Sequence, residues 1–151
     1  AVQRKLKGLA ELGHNTEPLM HTIGNIIANS IKDSFEDEKS PFGQKWAALK
    51  PSTVAQKKRK GKSDKILRRD GYLADKWVVD ATSKRVIVSN NSKHKDFAYG
   101  LVHQFGTHKA GRSKNIFIPA RPFLPVNKGG KLQSDIQKII KTQMINFIKK
   151  I

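Results

Sequence analysis

Trp77-Val78-Val79-Asp80-Ala81-Thr82-Ser83-Lys84-Arg85-Val86-Ile87-Val88-Ser89-Asn90-Asn91-Ser92 is the stretch whose reading decides the fold class. Two short runs rich in β-branched residues, Trp77-Val78-Val79 and Val86-Ile87-Val88, flank Asp80-Ala81-Thr82-Ser83, a cluster of turn formers. That arrangement predicts a β-hairpin, and Asn90-Asn91-Ser92 closes its second strand.

Helical signals lie on both sides of the hairpin. Asn15-Thr16-Glu17-Pro18 is a helix start, a short polar cap followed by Pro where a missing N–H costs nothing. Leu19, Ile23, Ile26, Ile27, Ile31 and Phe35 then recur every three or four residues, which predicts an amphipathic helix to about Asp37. Its end carries Glu36-Asp37-Glu38, carboxylates at the negative end of the helix dipole. They read either as a frayed, solvated terminus or as an acidic knob for a basic neighbour, such as the basic segment of another copy. Ser40-Pro41-Phe42-Gly43 is loop punctuation, with Trp46 and Leu49 as anchors tucking the loop onto the core. Pro51 with Ser52 or Thr53 opens a short second helix running into Lys57-Lys58-Arg59-Lys60-Gly61-Lys62. Residues 57–65 are expected to form a basic, flexible loop.

Beyond the hairpin, Asp96 to Phe105 predicts a short helix with Asp96 as cap and Gly106 as terminator. Asn115-Ile116-Phe117-Ile118 reads as a further strand ended by Pro119. Within 129–151, Leu132, Ile136, Ile139, Ile140, Phe147 and Ile151 make a last amphipathic helix whose final turn carries Lys149 and Lys150. The expected class is α+β: a small, mainly antiparallel sheet, hairpin plus further strand, packed against N- and C-terminal amphipathic helices. A chain of 151 residues is one domain by size, with enough surface to bury for a single core without metal or disulfide staples.

Charge narrows the partners. The chain carries 30 Lys and Arg against 12 Asp and Glu, a net +18, and the excess begins after residue 40. Residues 1–40 sum to −1 and residues 41–70 to +8, with 8 basic residues and one acid between 57 and 69. Such a field favours polyanions, whether nucleic acid, an acidic protein surface or anionic lipid, and it opposes self-association. The longest stretch free of Asp, Glu, Lys and Arg, Pro18 to Ile31, has 14 residues, too few to span a bilayer. The basic start from Ala1 to Lys7 has no apolar run behind it, so neither a signal peptide nor a membrane partner is expected.

Catalytic and ligand chemistry finds little support. The absence of Cys removes thiolate zinc sites, iron–sulfur clusters and cysteine nucleophiles. His94, His103 and His108 show no His-Glu-x-x-His pattern, and no Gly-x-Ser-x-Gly elbow occurs. Gly61-Lys62-Ser63 resembles the tail of a P-loop, but position 56, where the motif needs Gly, is Gln. No catalytic residue, cofactor or metal is therefore expected. Nonspecific DNA binding by the 57–69 segment remains the alternative, although that segment lacks the aromatics of a stacking reader. It predicts tight duplex binding by the monomer with a salt slope of several units.

Three segments together resemble the phage virion morphogenesis proteins of Mu-like phages and prophages, also described as tail completion proteins. The first is Phe42-Gly43-Gln44-Lys45-Trp46 with Leu49, Thr53 and the lysine-rich run, similar to a Gly-x-x-Trp-x-x-Leu opening. The second is Ile66-Leu67-Arg68-Arg69-Asp70-Gly71-Tyr72-Leu73. The third, and most specific, is Tyr99 and Val102-His103-Gln104-Phe105-Gly106, followed by Ile118-Pro119-Ala120-Arg121-Pro122-Phe123-Leu124. They cover residues 42–124 in the family's order. Asp70 stands where the family has Thr or Ser, and Pro125 where a glycine is common.

Physically, these residues read as scaffold. His103-Gln104-Phe105-Gly106 is a helix terminus at which Phe105 enters the core and Gly106 takes a backbone angle closed to other residues. The His103 and Gln104 side chains then satisfy backbone groups of the next loop or meet another subunit. Pro119 and Pro122 stiffen an extended segment that presents Arg121 to a carboxylate, in this chain or the next. Phe123 and Leu124 are read as core. The resemblance implies a non-enzymatic structural protein of tail completion or head–tail joining, acting as a homo-oligomeric ring, a hexamer being one arrangement. Its implied partners are other copies and the phage's tail and neck or connector proteins, first in the host cytoplasm and then in the virion. The contact residues expected on this view are Glu36, Asp37 and Glu38 of one copy against Lys57, Lys58, Arg59, Lys60, Arg68 and Arg69 of the next, with Arg121. Reversing the charges of Glu36, Asp37 and Glu38 would then disrupt assembly while leaving thermal stability nearly unchanged.

Overall fold

The computed structural model describes residues 15–150 and, before them, Gln3, Arg4, Lys7, Gly8 and Glu11. Its elements run α1 (Glu17–Asp37), α2 (Pro51–Arg59), α3 (Tyr72–Asp75), β1 (Val78–Ala81), β2 (Val86–Ser89), α4 (Tyr99–Phe105), β3 (Thr107–Ala110), β4 (Ile116–Ile118) and α5 (Ser134–Lys149). The class is α+β, with two separate two-stranded antiparallel sheets, β1-β2 and β3-β4. Ile151, expected on the stripe of the last helix, lies outside the described residues.

The chain forms two compact units. One gathers α1 as far as Asn29, Val78–Ser89 and the chain from Val126 on; the other gathers Ser30–Trp77 and Asn90–Pro125. In the first unit the predicted hairpin forms with Val79 opposite Val88 and Ala81 opposite Val86. Its boundaries differ from expectation. Trp77 precedes the strand, Asp80 and Ala81 belong to it, and the turn sits at 82–85, closed by Thr82, whose hydroxyl accepts from the Lys84 and Arg85 amides. Val79 and Val86 face α1 at Gly24, where a Cβ would lie 2.4 Å from Val79 Cγ1 and 2.7 Å from Val86 Cγ2. Glycine there is what permits the helix to approach the hairpin. The Thr16 hydroxyl ties the start of α1 to the Ser83 carbonyl. At the other end of the chain α5 starts at Ser134, later than expected and after Leu132, its cap supplied by the Gln133 carboxamide accepting from the Ile136 amide at 2.9 Å.

The second unit holds the core: among the described residues the buried large apolar side chains lie in it, namely Ile31, Phe35, Trp46, Ile66, Leu73, Phe123 and Pro125. Phe35 is its centre, with Trp46 edge-on at 5.4 Å and Phe123 tilted at 5.3 Å between ring centroids. Trp77 meets Phe123 at 5.8 Å and donates its indole N–H to the Leu73 carbonyl. Such aromatic pairs add to plain area burial. Trp46 arrives there because Ser40, itself buried, closes the preceding turn by accepting from the Phe42 and Gln44 amides.

Several local expectations are corrected in this unit. A short helix, α3, occupies Tyr72–Asp75, started by Gly71 in the left-handed region at φ 82°. The strand at 116–118 pairs with a strand that was not expected, β3, through Thr107 opposite Ile118 and Ala110 opposite Ile116. Asp96 does not cap α4, which begins three residues later with Ala98 before it. Phe105 does not enter the core. It is 59% exposed, whereas Gln104 beside it is 6% exposed.

A candidate basic cleft

The motif 118–125 is an extended strap held by polar side chains from elsewhere in its unit. The Gln104 carboxamide oxygen accepts from the Phe123 amide at 2.9 Å and from the Leu124 amide at 3.1 Å. The Arg121 amide donates to the His103 carbonyl at 2.7 Å, and the Trp46 indole N–H to the Pro122 carbonyl at 2.8 Å. Gln104 therefore does what was expected of it, since an extended segment between prolines has no ladder partners for its buried amides.

Arg121 departs from expectation. Among the described residues it meets no carboxylate; its Nε donates to the Ala47 carbonyl at 2.8 Å and an Nη to the Ala48 carbonyl at 3.1 Å, and the residue is 6% exposed. Burial lowers its pKa from the ordinary arginine value. The guanidinium fork suits two successive carbonyls of an irregular strand as well as it suits a carboxylate. His103 Nδ1 is buried without a hydrogen-bond partner among the described residues, so this side chain does not brace the next loop through that atom as expected. Burial, and then the Arg121 charge, push its pKa down from the ordinary value of about 6.5. With the folded value below the unfolded one, the unfolded chain binds the proton more readily, so stability is full above about pH 6.5 and falls as pH drops below it. Urea midpoints measured at pH 7.5 and 5.5 are expected to fall with acid, and His103→Leu to flatten that dependence.

The basic run after α2 folds back on itself. Lys57, Lys58 and Arg59 form the last turn of α2, and Lys57 Nζ donates to the Lys65 carbonyl. Burial lowers the Lys57 pKa, against the opposing charges of Asp64 and Glu38. Lys62 binds the Asp70 carboxylate, which holds the Asp70 pKa down. Leu67 at φ 57° reverses the chain, and Arg68 then forks between Asp75, at 2.8 Å, and Glu36, at 3.2 Å.

These turns settle where the acidic end of α1 goes. Glu36 takes Arg68 and, at 3.8 Å, Lys65; Glu38 accepts from the Ile66 amide at 2.6 Å; Asp37 lies 3.6 Å from Lys39. The acidic and basic segments do meet, but within one chain. Reversing Glu36 and Glu38 would thus remove contacts of the fold itself and would not spare stability.

What remains is a half-open cleft of about 880 Å³ within the second unit, walled by α2, the 67–73 turn, α4 and β4. Eight Lys and Arg residues line it against a single carboxylate, Asp70. Lys57, Lys60, Arg68, Arg69 and Arg121 from the predicted set are brought together there, while Lys58 and Arg59 are exposed outside the lining. Lys50, Lys93, Tyr72 and Phe117 also line it and were not foreseen. Only Lys50 has a local signal, as the residue before Pro51, whose extended conformation (ψ 144°) aims the chain into α2. Among the described residues no three His, Asp or Glu side chains gather as a metal site, and no helix is long and apolar enough to cross a membrane.

Fold and cleft define a small, strongly basic α+β protein in which buried polar side chains brace irregular backbone. The chain belongs to the phage virion morphogenesis family, whose model matches residues 1–144. It is similar to "Mu-like prophage FluMu G protein 1" of Haemophilus influenzae, 26% identical over 145 residues that cover 95% of this chain and 88% of that protein. It is also similar to "Mu-like prophage FluMu G protein 2" of the same organism, 29% identical over 119 residues covering 79% and 72%. No solved structure matches it. The family gives the protein a structural, morphogenetic role in a phage particle and associates it with the virion.

Proposed function

We propose that the protein completes the phage tail and makes it competent to join the DNA-filled head, working as a ring of copies on the tail axis beside tail and neck or connector proteins. Family membership over residues 1–144 and the ordered motifs between 42 and 124 support the morphogenetic part. The observation that carries the ring is α5. This 16-residue helix has no buried residue, although Ile139, Met144, Ile145 and Ile148 on it are large, apolar and exposed. Met144, Ile145 and Ile148 fall on one side of the helix at three- and four-residue spacing, and an exposed apolar face of this kind marks an interaction site. In a chain of net +18, contact between copies has to come from apolar area large enough to offset repulsion. Glu36 and Glu38 are paired within their own chain, which leaves α5 as the surface we assign to contact between copies.

Electron microscopy of lysates from the phage or prophage lacking this gene tests the reading. Filled heads beside unattached tails are expected, and a complementing copy carrying Ile145→Asp should reproduce that phenotype. Normally joined particles without the gene would overturn it.

A further inference from the structure

The geometry points to the basic cleft as the seat of an extended acidic segment from another virion protein, one in which Asp or Glu side chains flank an apolar residue. The inference rests on the morphogenetic reading above and adds a partner chemistry to it.

Charge selects an anion. Of the cleft's cations, Arg68 is neutralised by Glu36 and Asp75 and Lys62 by Asp70, whereas Lys50, Lys60 and Lys93 have no ion pair among the described residues. Three ammonium groups around one opening therefore lack a counter-charge. The floor selects against a purely ionic ligand, because Tyr72, Ile116 and Phe117 line the same space and are each about half exposed. A ligand that pairs the lysines and leaves these side chains wet forgoes the apolar part of the binding energy. An apolar side chain set between carboxylates satisfies both.

This chain does not supply such a segment. Its one acidic cluster, Glu36-Asp37-Glu38, is held at the end of its own α1, and the remaining carboxylates are scattered singly along the sequence. A second copy would also bring another +18. A DNA duplex, a stiff rod with its phosphates outside, reaches the rim lysines but places nothing on the apolar floor. A single strand stacking bases on Tyr72 and Phe117 is the nucleic-acid arrangement the cleft admits, and the experiment separates it.

A photo-crosslinking residue is placed at Phe117 in the full-length chain, supplied to cells lacking the gene, with Met144 as the comparison position. The expected result is an adduct from position 117, and not from 144, on an acid-rich segment of another particle protein. A synthetic peptide of that segment should bind the purified chain and lose about ten-fold or more in affinity when Lys50→Gln, Lys60→Gln and Lys93→Gln are combined. An adduct on nucleic acid, on a second copy or on an uncharged segment overturns the inference, as does no adduct in particles that join normally. A triple variant that joins heads to tails as the wild type does removes the cleft's role while leaving the tail-completion reading intact. Loss of that reading appears instead as normal particles without the gene.

Discussion

Gly106→Ala is expected to lower the melting temperature by about 10 °C. Gly106 ends α4 at φ 70° and ψ 172°, a backbone region that belongs almost wholly to glycine, so any side chain costs about 1–3 kcal/mol in strain there. The added Cβ would also stand 2.7 Å from the Ala120 amide nitrogen and 2.9 Å from the Ile118 carbonyl oxygen. Both are backbone atoms of the 118–125 strap, which Gln104, Trp46 and the His103 carbonyl hold from three sides, so they cannot rotate away as a side chain would. Overpacking of this kind costs about another 1–3 kcal/mol. At about 2–4 °C per kcal/mol for a chain of this size, the middle of the summed range, about 4 kcal/mol, gives a shift of about 10 °C. Gly43→Ala separates the two causes. Gly43 also has positive φ, at 92°, but a Cβ there meets nothing within 4 Å, so only the strain is incurred and a loss of about 1 kcal/mol is expected. Calorimetry of the two variants decides it. A Gly106→Ala melt no lower than that of Gly43→Ala would mean that the strap yields.

Much of the architecture was legible in the sequence because α1, α5 and the β1-β2 hairpin carry a repeating apolar period over enough residues to fix phase. The misses fall where the signal is shorter than its own period. α3 spans four residues, Tyr72–Asp75, about one helical turn, and no periodicity can declare it. β3 reads Thr107-His108-Lys109-Ala110, with one β-branched residue and two polar ones, and it is a strand only because β4 pairs with it. In α4, seven residues long, an error of one position turns the inward face by about 100°, which is why Gln104 and not Phe105 points into the core. Arg121 had a visible need for a partner, but the carbonyls of Ala47 and Ala48 lie 74 and 73 residues away in sequence and carry no side-chain signature. The basic cleft was half legible: the 57–69 run announced its charge, whereas Lys93 and Phe117 join it only through tertiary folding.

Trp46→Ala is expected to destabilise the chain by about 3–5 kcal/mol, because it deletes the largest side chain of the only well-buried cluster among the described residues. The indole packs edge-on against Phe35, which is fully buried, and through it the loss reaches Phe123. It also removes the donor that satisfies the Pro122 carbonyl, so the strap loses one of its ties together with its packing. Trp46→Phe tells packing from hydrogen bonding. A phenyl ring keeps most of the contact with Phe35, and its cost is expected to be nearer 1–3 kcal/mol, the range for leaving a buried acceptor without its donor. Equilibrium urea unfolding followed by far-UV circular dichroism measures both, and the remaining Trp77, which rests on Phe123, reports the same cluster by fluorescence. If Trp46→Ala and Trp46→Phe unfold at the same midpoint, the indole N–H rather than the ring holds Pro122 and the core in place. If both unfold with the wild type, Trp46 is not part of the core at all, and the Gly-x-x-Trp-x-x-Leu segment is a surface motif. A graded order, wild type above Phe above Ala, makes the family's tryptophan the bolt between the 40–50 loop and the 118–125 strap. That order would also explain why these two segments, some 75 residues apart, occur together as one signature.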